Sequence, residues 1–134
     1  MSDDQAIQQF LDGSSFAVVG ASKNREKYGN KVLRSYLQNG MKAFPINPNA
    51  AEIEGQTAYA SLADLPENIH GLSIITPPAV TQQVVEQAIQ EGIKHIWMQP
   101  GAENDEAISL AESSGINVIA GGPCILVALQ FRDV

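Results

Sequence analysis

Cysteine and histidine are scarce in this chain: 134 residues contain one cysteine, Cys124, and two histidines, His70 and His95. A single thiol cannot close an intramolecular disulfide, and no Cys/His spacing resembles a zinc site, so a reducing compartment and no metal are expected. Long apolar runs are missing too, for no stretch approaches the roughly 20 residues needed to span a bilayer. The opening Met1-Ser-Asp-Asp-Gln5 has neither the basic region and apolar run of a secretory signal nor the Arg/Ser bias of a transit peptide. A cytoplasmic protein is expected. Basic charge is also in short supply, with 8 Lys and Arg against 15 Asp and Glu and a formal net charge of -7. Nucleic acids and anionic membranes select basic surfaces, so neither is an expected partner. What the chain does have is 44% hydrophobic residues, enough for one core, and the expectation is a single domain over 1–134 with its core at about 15–127.

Because basic residues are few, their placement is informative. Five of the eight, Lys23, Arg25, Lys27, Lys31 and Arg34, fall within twelve positions that begin where an apolar run, Phe16-Ala-Val-Val19, ends. A local inversion of sign beside a strand-to-helix junction points to a bound phosphate ligand. The competing reading is a solvated helix face on which Glu26, Lys27 and Lys31 make weak surface pairs.

Apolar runs of strand length recur at Phe16–Val19, Ala43–Ile46, Leu72–Ile75, His95–Met98 and Asn117–Ala120. Between them lie helical stripes: Val32, Leu33, Tyr36 and Leu37; Val80, Val84, Val85, Ala88 and Ile89; and Ala107, Ile108 and Ala111. Gly40, Gly92 and Gly115 each close a helix where the chain must leave through a left-handed residue. Repeated helix–Gly–strand units are successive βαβ crossovers. They predict an α/β fold, a Rossmann-like doubly wound parallel sheet of five to six strands with flanking helices. The stretch from 51 to 70 is less regular, with a short edge strand expected within Ile53–Tyr59 and a helical turn at Ser61–Leu65, capped by Ser61 and halted by Pro66. An N-terminal helix from about Asp4 to Leu11, turning Ile7, Phe10 and Leu11 inward, and a last helix from Cys124 to Phe131 complete the expected set.

In such sheets ligands bind at the carboxyl ends of the strands, where strand order reverses. The loops that follow the runs are Gly20-Ala21-Ser22, Asn47-Pro48, Thr76-Pro77-Pro78, Gln99-Pro100-Gly101 and Gly121-Gly-Pro-Cys124. The first leads into a helix whose free N–H groups and positive dipole end suit a phosphate, with Gly20 for the turn and Ser22 as hydroxyl donor. It lacks the second and third glycines of the dinucleotide fingerprint. The second strand ends in Asn47, where NAD sites usually carry an acid for the ribose, so an ordinary NAD site is disfavoured while an NADP-binding oxidoreductase or redox sensor, its 2′-phosphate met by the basic cluster, remains the alternative. Asn47-Pro48 also reads as a simple turn, and Thr76-Pro77-Pro78 as a helix start or as a rigid surface for a flat base. His70 and His95 fall at the amino ends of strands, the rim opposite the expected site, and read as structural or surface residues. No serine has a visible base partner and the rim loops hold no paired carboxylates, so no catalytic residue is assigned. Cys124 lies beyond the last strand, as an inert thiol or one able to meet a thiol-bearing ligand.

Taken in order, these loops resemble the CoA-binding domain family, small single-domain proteins similar to the CoA-binding domain of the succinyl-CoA synthetase α subunit. The likeness runs from about Ser15 to Val127 and is carried by Val18-Val-Gly-Ala-Ser22, Tyr28-Gly-Asn-Lys-Val-Leu33, Phe44-Pro-Ile-Asn-Pro48, Tyr59-Ala-Ser-Leu-Ala-Asp-Leu-Pro66 and Ile96-Trp-Met-Gln-Pro-Gly101. The resemblance implies that Gly20, Ala21 and Ser22, with Lys27, Tyr28 and Gly29 beside them, hold the phosphates of coenzyme A or an acyl-CoA. It implies too that Asn47, Pro48, Thr76, Pro77, Pro78, Met98, Gln99, Pro100 and Gly101 line the adenosine and pantetheine path. In the synthetase a lysine closely follows the second-strand proline; here Asn49 and Ala50 stand there, so the basic contact is expected from Lys23, Arg25 or Lys27. The synthetase phosphohistidine belongs to another domain, and the implied role is noncatalytic binding, with a mixed disulfide between Cys124 and CoA as a further option. A protein partner or self-association is left open.

Overall fold

Residues 3–134 are described by a computed structural model of the chain. The apolar runs form β1 (Ser15–Val19), β2 (Lys42–Ile46), β5 (Gly71–Ile74), β6 (His95–Met98) and β7 (Asn117–Ile119), joined in one parallel sheet of order β2-β1-β5-β6-β7. Five strands thus stand where five to six were expected. The helices are α1 (Asp3–Leu11), α2 (Tyr28–Gln38), α3 (Pro78–Gln90), α4 (Asp105–Ser113) and α5 (Ile125–Ala128).

Alternation along each strand sends side chains to two separate cores. Phe16 and Val18 of β1, with Trp97 of β6, pack against Phe10 of α1, Val32, Leu33 and Tyr36 of α2, and Ile125 of α5. Ala17, Leu72, Ile74, Ile96 and Met98 face the other way, onto Val84, Val85 and Ala88 of α3 and Ala107 and Ala111 of α4. The aromatic side holds a chain of rings, Phe10 on Trp97 at 5.4 Å and Phe16 on Tyr36 at 5.0 Å. Tyr36 brings a hydroxyl into this apolar stack, where it is paired with Ser73 at 2.6 Å. Burial pushes that phenol far above its usual pKa, so it stays neutral.

Strand order reverses between β1 and β5, and these two strands end level, with Val19 opposite both Ile46 and Ile74. The three loops that leave β1, β2 and β5 therefore meet at one place on the carboxyl rim. Gly40, Gly92 and Gly115 take the left-handed conformation expected at the helix exits, with φ of 69°, 75° and 80°.

The stretch after β2 departs from expectation. It does not add an edge strand to the sheet but folds on itself as an antiparallel ribbon, β3 (Glu52–Ile53) and β4 (Gln56–Thr57), turning through Glu54 and Gly55 at φ 50° and 77°. Tyr59 returns to the sheet edge, donating its N–H to the Pro45 carbonyl at 3.0 Å and accepting from the Asn47 N–H at 2.8 Å. Pro45 has no N–H to give, which suits a strand on the sheet edge. The turn at Leu62–Asp64 forms, but the Ser61 hydroxyl donates to the Asp64 carboxylate at 3.2 Å instead of capping a backbone N–H. The last helix is also shorter than expected: Cys124 sits at its cap position, and residues 129–134 run back along α2.

Candidate functional site

Two glycines set the shape of the first loop. Gly20 has φ +93°, and a Cβ there would lie 2.0 Å from the carbonyl oxygen of Ile75. At Gly29, inside α2, a Cβ would lie 1.9 Å from the carbonyl oxygen of Gly20. The third glycine of the dinucleotide fingerprint exists to let helix and strand approach closely, and Gly29 does this physical work from a different spacing. Between them the loop orders itself: the Ser22 hydroxyl oxygen accepts from the Asn24 N–H at 3.1 Å, the Asn24 side chain accepts from the Glu26 N–H at 3.0 Å, and the Lys27 N–H reaches the Asn24 carbonyl at 3.0 Å. Ser22 is used as an acceptor there, so its proton remains to be donated.

Helix α2 then starts with Lys27 at its cap position and no side chain bonded across its first turn. The first N–H groups of a helix have no partners within it, and the aligned dipoles make that end partly positive. In front of it opens a cavity of 480 Å³, lined by Gly20, Ala21 and Ser22, by Lys27, Tyr28 and Gly29, and by Asn47 and Ile75. A second cleft of 340 Å³ shares Gly20, Ala21 and Asn47 with the first and continues over Val19, Ile46, Pro48, Thr76 and the Val80, Val84, Gln87 face of α3, with Ala60, Ser61 and Leu62 opposite. Neither lining contains an Asp or Glu, although the chain has 15 of them. One end of the combined space is cationic, the other largely apolar.

Asn47 stitches the loops together, donating from Nδ2 to the Ala21 carbonyl at 2.9 Å and accepting the Asn49 N–H at 2.7 Å. Thr76 and Thr81 share a hydroxyl contact of 2.8 Å, and Thr81 donates to the Ala102 carbonyl at 2.7 Å, fixing the start of α3. Pro77 occupies the α3 cap position and Pro78 its first residue, both exposed beside the cleft.

Of the residues the sequence singles out, Gly20, Ala21, Ser22, Lys27, Tyr28, Gly29, Asn47, Pro48 and Thr76 line the joined cavities. Lys23 is exposed on the same loop and has no ion pair among the described residues. Arg25 is engaged elsewhere: its Nη2 donates to the Val134 carbonyl at 2.9 Å and its Nε lies 3.5 Å from Glu54. Met98 to Gly101 are not brought to either cavity. Met98 is fully buried in the α3–α4 core, while Gln99 accepts the Ile125 N–H at 2.8 Å and donates to the Cys124 sulfur at 3.3 Å, so both side chains serve the sheet and α5. Pro100 and Gly101 form an exposed turn, where the Gly101 N–H meets Glu103 at 2.6 Å. Cys124 borders a different groove, with Ile7, Leu11, Trp97 and Val127. Sequence reasoning missed the α3 wall. The helical stripe places Val80 in the core, yet it is 40% exposed at the first turn, one turn before Val84, and that exposure is invisible to a periodicity argument.

The histidines lie at the amino rim, as expected. His70 and His95 stack at 4.2 Å, His70 Nε2 meets the Gln9 carbonyl at 2.8 Å, and Asn117 links His95 Nδ1 to the Ala6 carbonyl of α1. Burial, and then the neighbouring His70, holds His95 below its ordinary pKa.

Comparison with known proteins decides the family. A model described as the CoA binding domain matches residues 14–130. This chain belongs to the CoA binding domain family. The CoA binding domain of this chain is 35% identical over 116 residues to an ADP-forming acetate–CoA ligase II of Archaeoglobus fulgidus, covering 78% of the chain and 17% of the ligase. It is 24% identical to the α subunit of the corresponding Pyrococcus furiosus enzyme, covering 89% of the chain and 28% of that subunit. The chain therefore spans roughly a sixth to a quarter of the length of these ligases. An uncharacterized protein of Bacillus subtilis, YneT, matches at nearly full length on both sides, 28% identical over 91% of the chain and 90% of its own. Among solved structures, a hypothetical protein from Pyrococcus horikoshii superposes with a TM-score of 0.90 at 30% identity, over 97% of this chain and 91% of its own.

Proposed function

We propose that this protein holds coenzyme A or an acyl-CoA across the two joined cavities without itself catalysing a reaction. The phosphates sit against Gly20–Ser22 and the uncapped start of α2, with Lys27 and the long side chain of Lys23 supplying positive charge. The neutral adenosine and pantetheine portions follow the apolar cleft past Asn47, Pro48, Thr76 and α3. One observation carries this reading: in a chain of net charge -7, the linings of these cavities contain Lys27 and no carboxylate. Family membership supports the ligand class. The ligases' chemistry is a property of proteins several times longer. A reducing, cytoplasmic setting accords with a single unpaired cysteine.

Calorimetric titration with CoA, NADPH and NADH tests the reading directly. Heat of binding from CoA alone is expected; binding of NADPH with none of CoA transfers the site to the dinucleotide alternative. Ser22→Glu puts a carboxylate where the phosphate is assigned, and like charges about 4 Å apart at a protein surface cost about 4 kcal/mol, so affinity falls by more than roughly a hundredfold. Unchanged CoA affinity in Ser22→Glu removes the assigned phosphate site.

A further inference from the structure

Arg34 belongs by sequence to the cationic cluster, yet its surroundings give it a different role. The residue is 4% exposed and lines neither cavity. Its guanidinium is shared among three segments of chain. Nε donates to the Asn30 Oδ1 at 2.6 Å, Nη2 to the Arg25 carbonyl at 3.0 Å, and Nη1 to the Asp133 carboxylate at 3.0 Å, with the Phe131 ring 5.0 Å from its Cζ. Asn30 is itself fully buried and carries the connection onward, donating from Nδ2 to the Ser22 carbonyl at 2.9 Å and to Glu54 at 3.0 Å.

One planar fork therefore fastens both ends of the Ser22–Arg25 segment, Arg25 directly and Ser22 through Asn30. Its outer face is closed by residues 129–134, which lie along α2 through Asn39 to the Leu129 carbonyl, Gln38 to the Arg132 carbonyl, and Asp133 to Arg34. The donors of a guanidinium are fixed in one plane, a geometry that a lysine ammonium cannot reproduce.

We propose that Arg34, with Asn30 as its relay and the 129–134 segment as its brace, is a positioning residue that holds the Ser22–Lys27 loop in its anion-receiving shape. The proposal rests on the ligand reading above for its effect on affinity, and on the loop itself for its effect on structure. A loop already in the bound geometry loses less freedom when the ligand arrives. Two of the five cations thus take different roles, since Lys27 lines the cavity whereas Arg34 shapes it.

Arg34→Lys keeps the charge and removes the fork. CoA affinity measured well below the melting temperature is expected to fall about tenfold, as when a group supporting a binding residue is lost. Ionic strength separates positioning from contact, because salt screens the attraction between a cation and the phosphates. The salt dependence of affinity should stay as in wild type in Arg34→Gln, which removes the charge, and be flatter in Lys27→Gln. Hydrogen exchange at the Asn24, Glu26 and Lys27 amides of the ligand-free protein should quicken in Arg34→Lys. Wild-type affinity together with wild-type loop exchange overturns the proposal, as does a salt dependence in Arg34→Gln flattened like that of Lys27→Gln. If Arg34→Lys does not fold, Asp133→Asn, at an exposed residue, carries the test: faster loop exchange supports the assignment and unchanged exchange overturns it. Should wild-type protein fail to bind CoA while Arg34→Lys loosens the loop, the ligand reading falls and the positioning role stands.

Discussion

Gly29 and Arg34 show what single residues decide in this molecule. A methyl group at Gly29 would point at the Gly20 carbonyl oxygen from 1.9 Å, and that oxygen is backbone, with no flexible side chain to swing aside. Gly29→Ala must therefore move α2 away from β1. Overpacking of this kind costs about 1–3 kcal/mol. A lower urea midpoint at unchanged m-value is the expected result, accompanied by weaker CoA binding, and a midpoint equal to wild type would contradict the contact. The sequence announces the loop through Gly20, Ser22 and the local run of cations, but Gly29 enters only through the family resemblance, because it lies nine positions from Gly20 and matches no fingerprint spacing. Charge is legible and burial is not. Of the five cations, Arg34 is buried, Lys31 lies 3.9 Å from Asp133, and Arg25 is paired with Glu54, because a C-terminal segment and a ribbon tip remote in sequence both come to the same helix.

At the scale of elements, long apolar runs are readable and very short strands are not. Phe16–Val18 and Ile96–Met98 are buried on both faces, as strands in the middle of a parallel sheet must be, and so stand out as unbroken apolar stretches. The β3–β4 ribbon has two residues in each strand, too few for any period, and only the Glu54-Gly55 turn hints at its reversal. The Met98–Gly101 loop leaves a strand at the correct rim and so reads as a ligand loop, but Gln99 is drawn toward α5 by the Ile125 N–H. Helix α1 is tied to the opposite rim by the histidine pair and Asn117. A histidine whose pKa is lowered in the folded state binds fewer protons there than in the unfolded chain, so stability is complete above 6.5 and declines as pH falls below it. Around His95 lie His70, Lys94 and Glu112, of which only the carboxylate favours its protonation. Protection of the α1 amides, measured against their intrinsic exchange rate at each pH, should therefore fall between pH 7.5 and pH 5, and His95→Gln should blunt the change. An α1 exchange rate that follows only the intrinsic chemistry of the amides over this range would refute the link.

For the whole molecule, ligand binding registers as stability. A ligand that binds only the folded state, present at a hundred times its Kd, stabilises by about 2.7 kcal/mol, which for a chain of this size raises the melting temperature by on the order of 10 °C. Melting curves recorded with and without millimolar CoA should differ by such an interval, and coincident curves would tell against the cavities as a CoA site. All five strands of the main sheet run in the same direction, and this gives the protein two chemically unlike poles. Protons act at one and, in the proposed function, the nucleotide at the other, with the length of the strands between them and no residue in common. Disturbances so separated are energetically independent, so the thermal benefit of CoA should be as large in mildly acidic buffer as in neutral buffer.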